Sequence, residues 1–131
     1  MDLIQDAWNF LKAAKEEYLM ARERSDPVLA RDAAEKAWNA VVQAADALIM
    51  ALLGRRPMSH RERRDALWMI EERYPELEGV YDQYNARFQR LHGDGFYEGL
   101  ITMEDLEREI EKAEKFIKRI ENYLIAGGYS P

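Results

Sequence analysis

The chain has 131 residues, of which 47% are hydrophobic and 34% charged, with no cysteine and a formal net charge of −6. That length suits a single domain, residues 1–131, with a core of its own. The missing cysteine excludes a disulfide framework, a thiolate metal site and a cysteine nucleophile. The acidic balance argues against a general nucleic-acid binder, whose affinity depends on neutralising phosphates.

The first residues carry Asp2 and Asp6 around Leu3 and Ile4, unlike the basic start of a signal peptide. The longest apolar run, residues 47–53, falls short of a membrane span. The expectation is a cytoplasmic protein with no membrane partner.

Asp2 caps a first helix in which Leu3, Ile4, Ala7, Trp8, Leu11, Ala14 and Tyr18 recur at threes and fours, ending near Arg24. Ser25-Asp26-Pro27 then supplies a cap followed by proline at the first helical position. The second helix is rich in alanine (Ala30, Ala33, Ala34, Ala37, Ala44, Ala45), with Trp38, Val41, Leu48 and Leu52 between. Small side chains let a neighbour approach closely, which places this helix at the centre of a bundle. Gly54 ends it and Pro57 prevents its continuation.

Ser59-His60-Arg61-Glu62 matches a capping box and opens a third helix through Ala66, Leu67, Met69 and Ile70 to about Arg73. Pro75 starts a fourth, through Leu77, Val80, Tyr81, Tyr84 and Phe88 to Leu91. Gly79 weakens its first turns by about 1 kcal/mol, so an irregular beginning is expected. Gly93 and Gly95 are expected to break it, leaving a connection of about ten residues. Thr102 then caps a fifth helix whose seam is Met103, Leu106, Ile110, Ala113, Ile117, Ile120 and Leu124, and Gly127-Gly128 end it. No alternating strand pattern appears. The reading is all-α, a five-helix up-and-down bundle with an irregular corner at residues 92–102.

Chemistry concentrates between residues 87 and 98, where one of only two histidines lies beside two arginines. His92 fits two roles, a cap for free carbonyls at a helix end or a proton-transfer group. Five arginines, Arg55, Arg56, Arg61, Arg63 and Arg64, fall within ten residues around His60. That cluster reads as a solvated face or as a groove for RNA or nucleotide phosphate, with Arg55, Arg56, His60, Arg61 and the distant Arg90 as candidate phosphate contacts.

The fifth-helix carboxylates, among them Glu104, Asp105, Glu107, Glu109 and Glu111, read as a solvated side paired with Lys112, Lys115, Lys118 and Arg119. The aromatics Trp8, Trp38, Trp68, Tyr81, Tyr84, Phe88, Phe96 and Tyr97 read mostly as core, with a base-stacking platform at Phe96 and Tyr97 as the alternative. No glycine-rich phosphate loop is present. His60, His92 and Glu98 show no paired metal-ligand spacing, so neither a metal nor a cofactor is expected.

The order of these segments resembles the HEPN superfamily, and within it the archaeal PaREP-type proteins. The likeness is carried by Ala34-Glu35-Lys36-Ala37-Trp38-Asn39-Ala40-Val41-Val42, Ser59-His60-Arg61, Pro75-Glu76-Leu77 and Leu91-His92-Gly93-Asp94-Gly95-Phe96-Tyr97-Glu98, with the seam of the last helix. The resemblance implies a helical bundle that pairs as a homodimer, in some members beside a nucleotidyltransferase-type partner. Nuclease members place an arginine and a histidine, with four to six residues between them, at the dimer cleft. They cleave RNA without metal through the ribose 2′-hydroxyl.

Arg87 and His92 match that spacing and become the expected catalytic pair. The chain departs from the pattern at Phe88, where nuclease members carry a polar residue, and Arg55 and His60 show the same spacing. The functional expectation is therefore an RNA- or nucleotide-phosphate-handling protein which, if catalytic, is a metal-independent endoribonuclease of toxin or defence type. The alternatives are a non-catalytic dimeric interaction module and a small-molecule-binding bundle.

Overall fold

Asp2 accepts a hydrogen bond from the Gln5 backbone N–H and starts α1 (Leu3–Arg24) in the computed structural model, which describes residues 2–129. The helix stops where Ser25 turns left-handed at φ 51°, and the N–H groups of Ser25 and Asp26 return to the Ala21 carbonyl. Asp26 then accepts from the N–H groups of Val28 and Leu29 to cap α2 (Pro27–Leu53), with Pro27 in the first turn as expected. Gly54 closes α2 at φ 73°.

Ser59 caps α3 (His60–Arg73) by accepting from the Glu62 N–H. The Glu62 carboxylate reaches past Ser59 to accept from the Met58 N–H at 2.6 Å, so the capping box closes one residue further out.

The fourth helix begins irregularly, as its glycine foretold. A 3₁₀ turn (Pro75–Leu77) leads to Gly79 at φ 91°, and α4 proper is Val80–Arg87. The Glu71 carboxylate on α3 accepts from the N–H groups of Gly79 and Tyr81 and so serves as an external cap.

Gly93 and Gly95 do not break this helix. The chain winds on as a π-helical segment (Phe88–Tyr97), in which the Glu98 N–H reaches the Gly93 carbonyl at 2.9 Å. Gly95 is used for close approach instead: a Cβ there would lie 2.8 Å from the Ala34 Cβ of α2. The irregular corner therefore shrinks to residues 98–102, and Thr102 caps α5 (Met103–Ala126) through the Asp105 N–H.

Side-chain registers show how the elements run. Trp8 donates to Glu121, Lys15 pairs with Glu114 and the Tyr18 hydroxyl donates to Glu107, so α1 and α5 are antiparallel. Gln83 with Arg119, Arg87 with Glu109 and Arg90 with Asp105 set the same relation between the fourth helix and α5. Glu35 with His92 and Arg31 with the Phe96 carbonyl set it between α2 and the π segment. The fold is an all-α bundle of five helices, with no strand among the described residues.

Helix α2 lies at its centre, where Ala33, Ala34, Ala37, Ala40, Ala44 and Ala45 are wholly buried. By length and composition alone α2 would suit a membrane span, but its apolar residues are largely taken up by the core.

Two expectations need correction. Glu109 is buried rather than on the solvated side of α5, because the fourth helix covers it and supplies Arg87. Trp68 and Tyr97 are 52% and 71% exposed, because neither packs against the buried core.

Candidate functional site

Tyr84, Phe88, His92 and Phe96 recur every four residues along α4 and the π segment. In a regular α-helix such a row drifts steadily around the axis, since a turn takes 3.6 residues. The wider π turns reverse that drift, and the four side chains stay in one column facing α2 and α3. Phe88 and His92 are 5.4 Å apart at 26°, and His92 and Phe96 are 5.9 Å apart at 23°. His60, at the first position of α3, adds itself to the column 3.9 Å from Phe88 at 18° and 5.4 Å from Tyr84. Trp38 of α2 packs against Tyr84, Phe88, His60 and His92 at centroid distances of 5.1 to 6.3 Å. Both histidines of the chain thus stack on one phenylalanine.

Each imidazole is held at Nδ1. His92 Nδ1 lies 2.9 Å from the Glu35 carboxylate of α2, and His60 Nδ1 lies 2.7 Å from the Tyr84 hydroxyl. A carboxylate only accepts, so His92 donates from Nδ1 and its neutral form carries a free lone pair on Nε2. Among the described residues neither Nε2 has a partner, and neither is sealed from solvent. Burial, helped by the positive charges of Arg64 and Arg63 and by His92, pushes the His60 pKa down to about 4, so His60 is neutral at physiological pH.

A polar chain supports His60 from behind. Asp46, 1% exposed in the middle of α2, accepts from Arg63 at 2.6 and 3.3 Å and from Arg56 at 3.3 Å. Arg63 also lies near enough to the Tyr84 hydroxyl for its positive charge to act on it. Arg64 is exposed beside His60 and takes part in no ion pair among the described residues.

The other expected residues are placed differently. Arg87 is 7% exposed, and its Nε donates to Glu109 at 2.7 Å, on the α5 side of the helix. It borders an open groove of about 360 Å³ shared with Gln83, Lys112, Lys115, Phe116 and Arg119, none of which belongs to the column. Arg87 and His92 therefore leave the helix toward different neighbours. Arg90 is committed to Asp94 at 2.7 Å and Asp105 at 3.3 Å. Arg55 and Arg61 are exposed, and Arg56 turns to Asp46. Phe96 joins the column, whereas Tyr97 stands in solvent, so the two do not form one platform. Among the described residues no group of His, Asp and Glu could hold a metal ion.

Sequence reading missed Glu35, Trp38, Asp46 and Tyr84 as parts of a site, and took Arg63 only as a member of the arginine cluster. One signal was visible, the four-residue repeat Tyr84, Phe88, His92, Phe96. The other was Asp46, a lone charge in the apolar run Ala44-Ala45-Asp46-Ala47-Leu48.

The model of the archaeal PaREP1/PaREP8 family matches residues 9–117, a span that contains the whole column and its polar supports. No curated protein and no solved structure matches the chain.

Proposed function

The chain belongs to the archaeal PaREP1/PaREP8 family, and from that premise we propose that it handles RNA or a nucleotide phosphate in the manner of the HEPN superfamily, at the His60–His92 face. One observation carries the reading: two imidazoles from separate helices share one aromatic support, each fixed at Nδ1 and open at Nε2. Fixing one nitrogen and freeing the other is what a proton-transfer imidazole requires.

In the catalytic form of this reading, His92 Nε2 accepts the proton of a ribose 2′-hydroxyl, and the Glu35 carboxylate stabilises the imidazolium that forms. The 2′-oxygen bonds to phosphorus, the bond from phosphorus to the 5′-oxygen breaks, water gives that oxygen a proton, and the hydroxide left takes the proton from the His92 imidazolium. The products are a 2′,3′-cyclic phosphate and a 5′-hydroxyl. His60 Nε2 and the exposed Arg64 guanidinium face the phosphate oxygens, where charge develops. Arg64 thus supplies the cation that the expected catalytic pair drew from Arg87, which is spent on Glu109. Homodimerisation, and a nucleotidyltransferase-type partner, belong to the same proposal, and light scattering and co-purification test them.

The deciding experiment is cleavage of varied single-stranded and structured RNAs in chelator, beside His92→Ala, His60→Ala and Glu35→Gln proteins of confirmed fold. Loss of a general base costs roughly 10²–10⁴-fold, so His92→Ala should abolish detectable cleavage. Glu35→Gln should slow it by less, because Nδ1 keeps an acceptor but loses the charge. Cleavage unchanged in His92→Ala sinks the catalytic proposal. Wild-type protein that neither cleaves nor binds any of the RNAs sinks the proposal as a whole.

A further inference from the structure

We infer that Asp46, Arg63 and Tyr84 form a positioning relay that fixes His60 as its Nε2–H tautomer, a neutral hydrogen-bond donor aimed at an anionic oxygen of the ligand. The role given to that donor rests on the preceding reading of the face. The tautomer does not.

The argument runs along the chain of donors. Asp46 is ionisable, nearly sealed from solvent and unable to donate as a carboxylate, so it orients the Arg63 fork through two contacts. Arg63 carries only donors, so its guanidinium near Tyr84 offers the phenolic proton no acceptor. Tyr84 is wholly buried, and burial raises its pKa, so the phenol keeps its proton at neutral pH. Among the described residues that proton has one acceptor within reach, His60 Nδ1 at 2.7 Å.

Were Nδ1 protonated instead, the Tyr84 hydroxyl would be a buried donor with no acceptor, a costly arrangement. The proton of neutral His60 is therefore on Nε2, the nitrogen that faces solvent. The charged and titratable groups around His60 are Arg63 and Arg64 on α3, Tyr84 on α4, His92 on the π segment and, beyond them, Asp46 and Glu35 on α2. Burial first, and then the nearer cations, oppose an added proton and keep His60 a donor rather than an acid.

The two histidines then have opposite polarity on one face. Neutral His92 presents a lone pair at Nε2, because Glu35 takes its Nδ1 proton, while His60 presents a proton. A pair of that kind suits a ligand offering a hydroxyl beside an oxyanion, the pattern of a ribose next to its phosphate.

The test is a two-bond ¹H–¹⁵N correlation spectrum of the protein labelled in histidine, with the two rings assigned by His60→Ala and His92→Ala. His60 should show a single Nε2–H tautomer from pH 5.5 to 8, and neutral His92 should show Nδ1–H. In Tyr84→Phe, His60 should become a tautomer mixture with a raised titration midpoint, while His92 keeps its pattern. A measurable Nδ1–H share for His60 in the wild type overturns the relay. So does a Tyr84→Phe spectrum with the wild-type tautomer and midpoint. If Tyr84→Phe fails to fold, Arg63→Lys, which keeps a charge beside Asp46 and loses the fork, should give the same mixture. RNA cleavage separates the two claims. A fixed His60 tautomer in a protein inert toward RNA retires the nuclease reading alone, and active protein with mobile His60 retires the relay alone.

Discussion

Replacing Arg87 by alanine tests whether the first expected catalytic residue is part of the scaffold. Its guanidinium is 9% exposed and donates to a Glu109 carboxylate that is 6% exposed. Removing one partner from a buried ion pair strands the other, which typically costs ~3–5 kcal/mol. Here the stranded Glu109 keeps weaker neighbours, with Lys112 at 3.7 Å and Arg90 at 3.9 Å. The cost should therefore fall at the low end, about 3 kcal/mol. For a chain of this length that lowers the thermal midpoint by on the order of 10 °C.

Glu109→Ala should cost more, because Arg87 then keeps a buried charge with no carboxylate beside it. The double replacement Arg87→Met with Glu109→Leu should recover most of the loss, since apolar pairs of similar volume fill such sites well. Urea denaturation followed by circular dichroism reads all three. The reasoning fails if Arg87→Ala lies within about 0.5 kcal/mol of wild type, the range of an ordinary surface substitution, or if the double replacement is as unstable as the worse single one.

Three further outcomes follow from individual contacts. Gly95→Ala forces a Cβ to within 2.8 Å of Ala34, so it should cost roughly 1–3 kcal/mol by overpacking, and Ala34→Gly in the same chain should return part of it in the same denaturation assay. Asp26→Ala removes the acceptor for two backbone amides at the start of α2 and should cost about 1 kcal/mol. For His60, the unfolded chain takes up a proton as pH falls through the ordinary 6.5, and the native protein does so only near 4. Stability is therefore lost as pH drops across that window and is flat above it. After allowance for solvent at a half-buried ring the loss is on the order of 1–2 kcal/mol. The slope between pH 7 and pH 4.5 should shrink in His60→Gln.

Helix existence and capping were legible in the sequence because they depend on neighbours in the chain. Asp2, Asp26, Ser59 and Thr102 each cap the helix that their position announced. The seam of α5 was equally legible, since Leu106, Ile110, Ala113, Ile117, Ile120 and Leu124 repeat at helical spacing and are buried. The π segment was not. Glycine usually ends a helix by its backbone freedom, and only Ala34 on another helix shows that Gly95 is there for clearance. Glu109 was misplaced for a related reason. A carboxylate on an amphipathic helix belongs to solvent unless a partner is built opposite it, and Arg87 lies on a different helix.

The same limit governs the site. Arg87 and His92 are near in sequence and were paired on that ground, but the helix turns one toward α5 and the other toward α2. His60 and His92 are far apart in sequence, and what unites them is Phe88, the residue whose apolar character broke the expected nuclease pattern. A polar side chain at that position would remove the surface on which both imidazoles rest. The departure is therefore consistent with a differently assembled site, in which the aromatic column does the positioning that a polar residue would do elsewhere. Phe88→Asn separates the alternatives. If Phe88 is only core, the replacement lowers stability and leaves the local state of both rings unchanged in whatever protein stays folded. If it is the shared support, folded Phe88→Asn protein should show changed ring ¹H and ¹⁵N signals for His60 and His92 together, since each loses a stacking face and gains water.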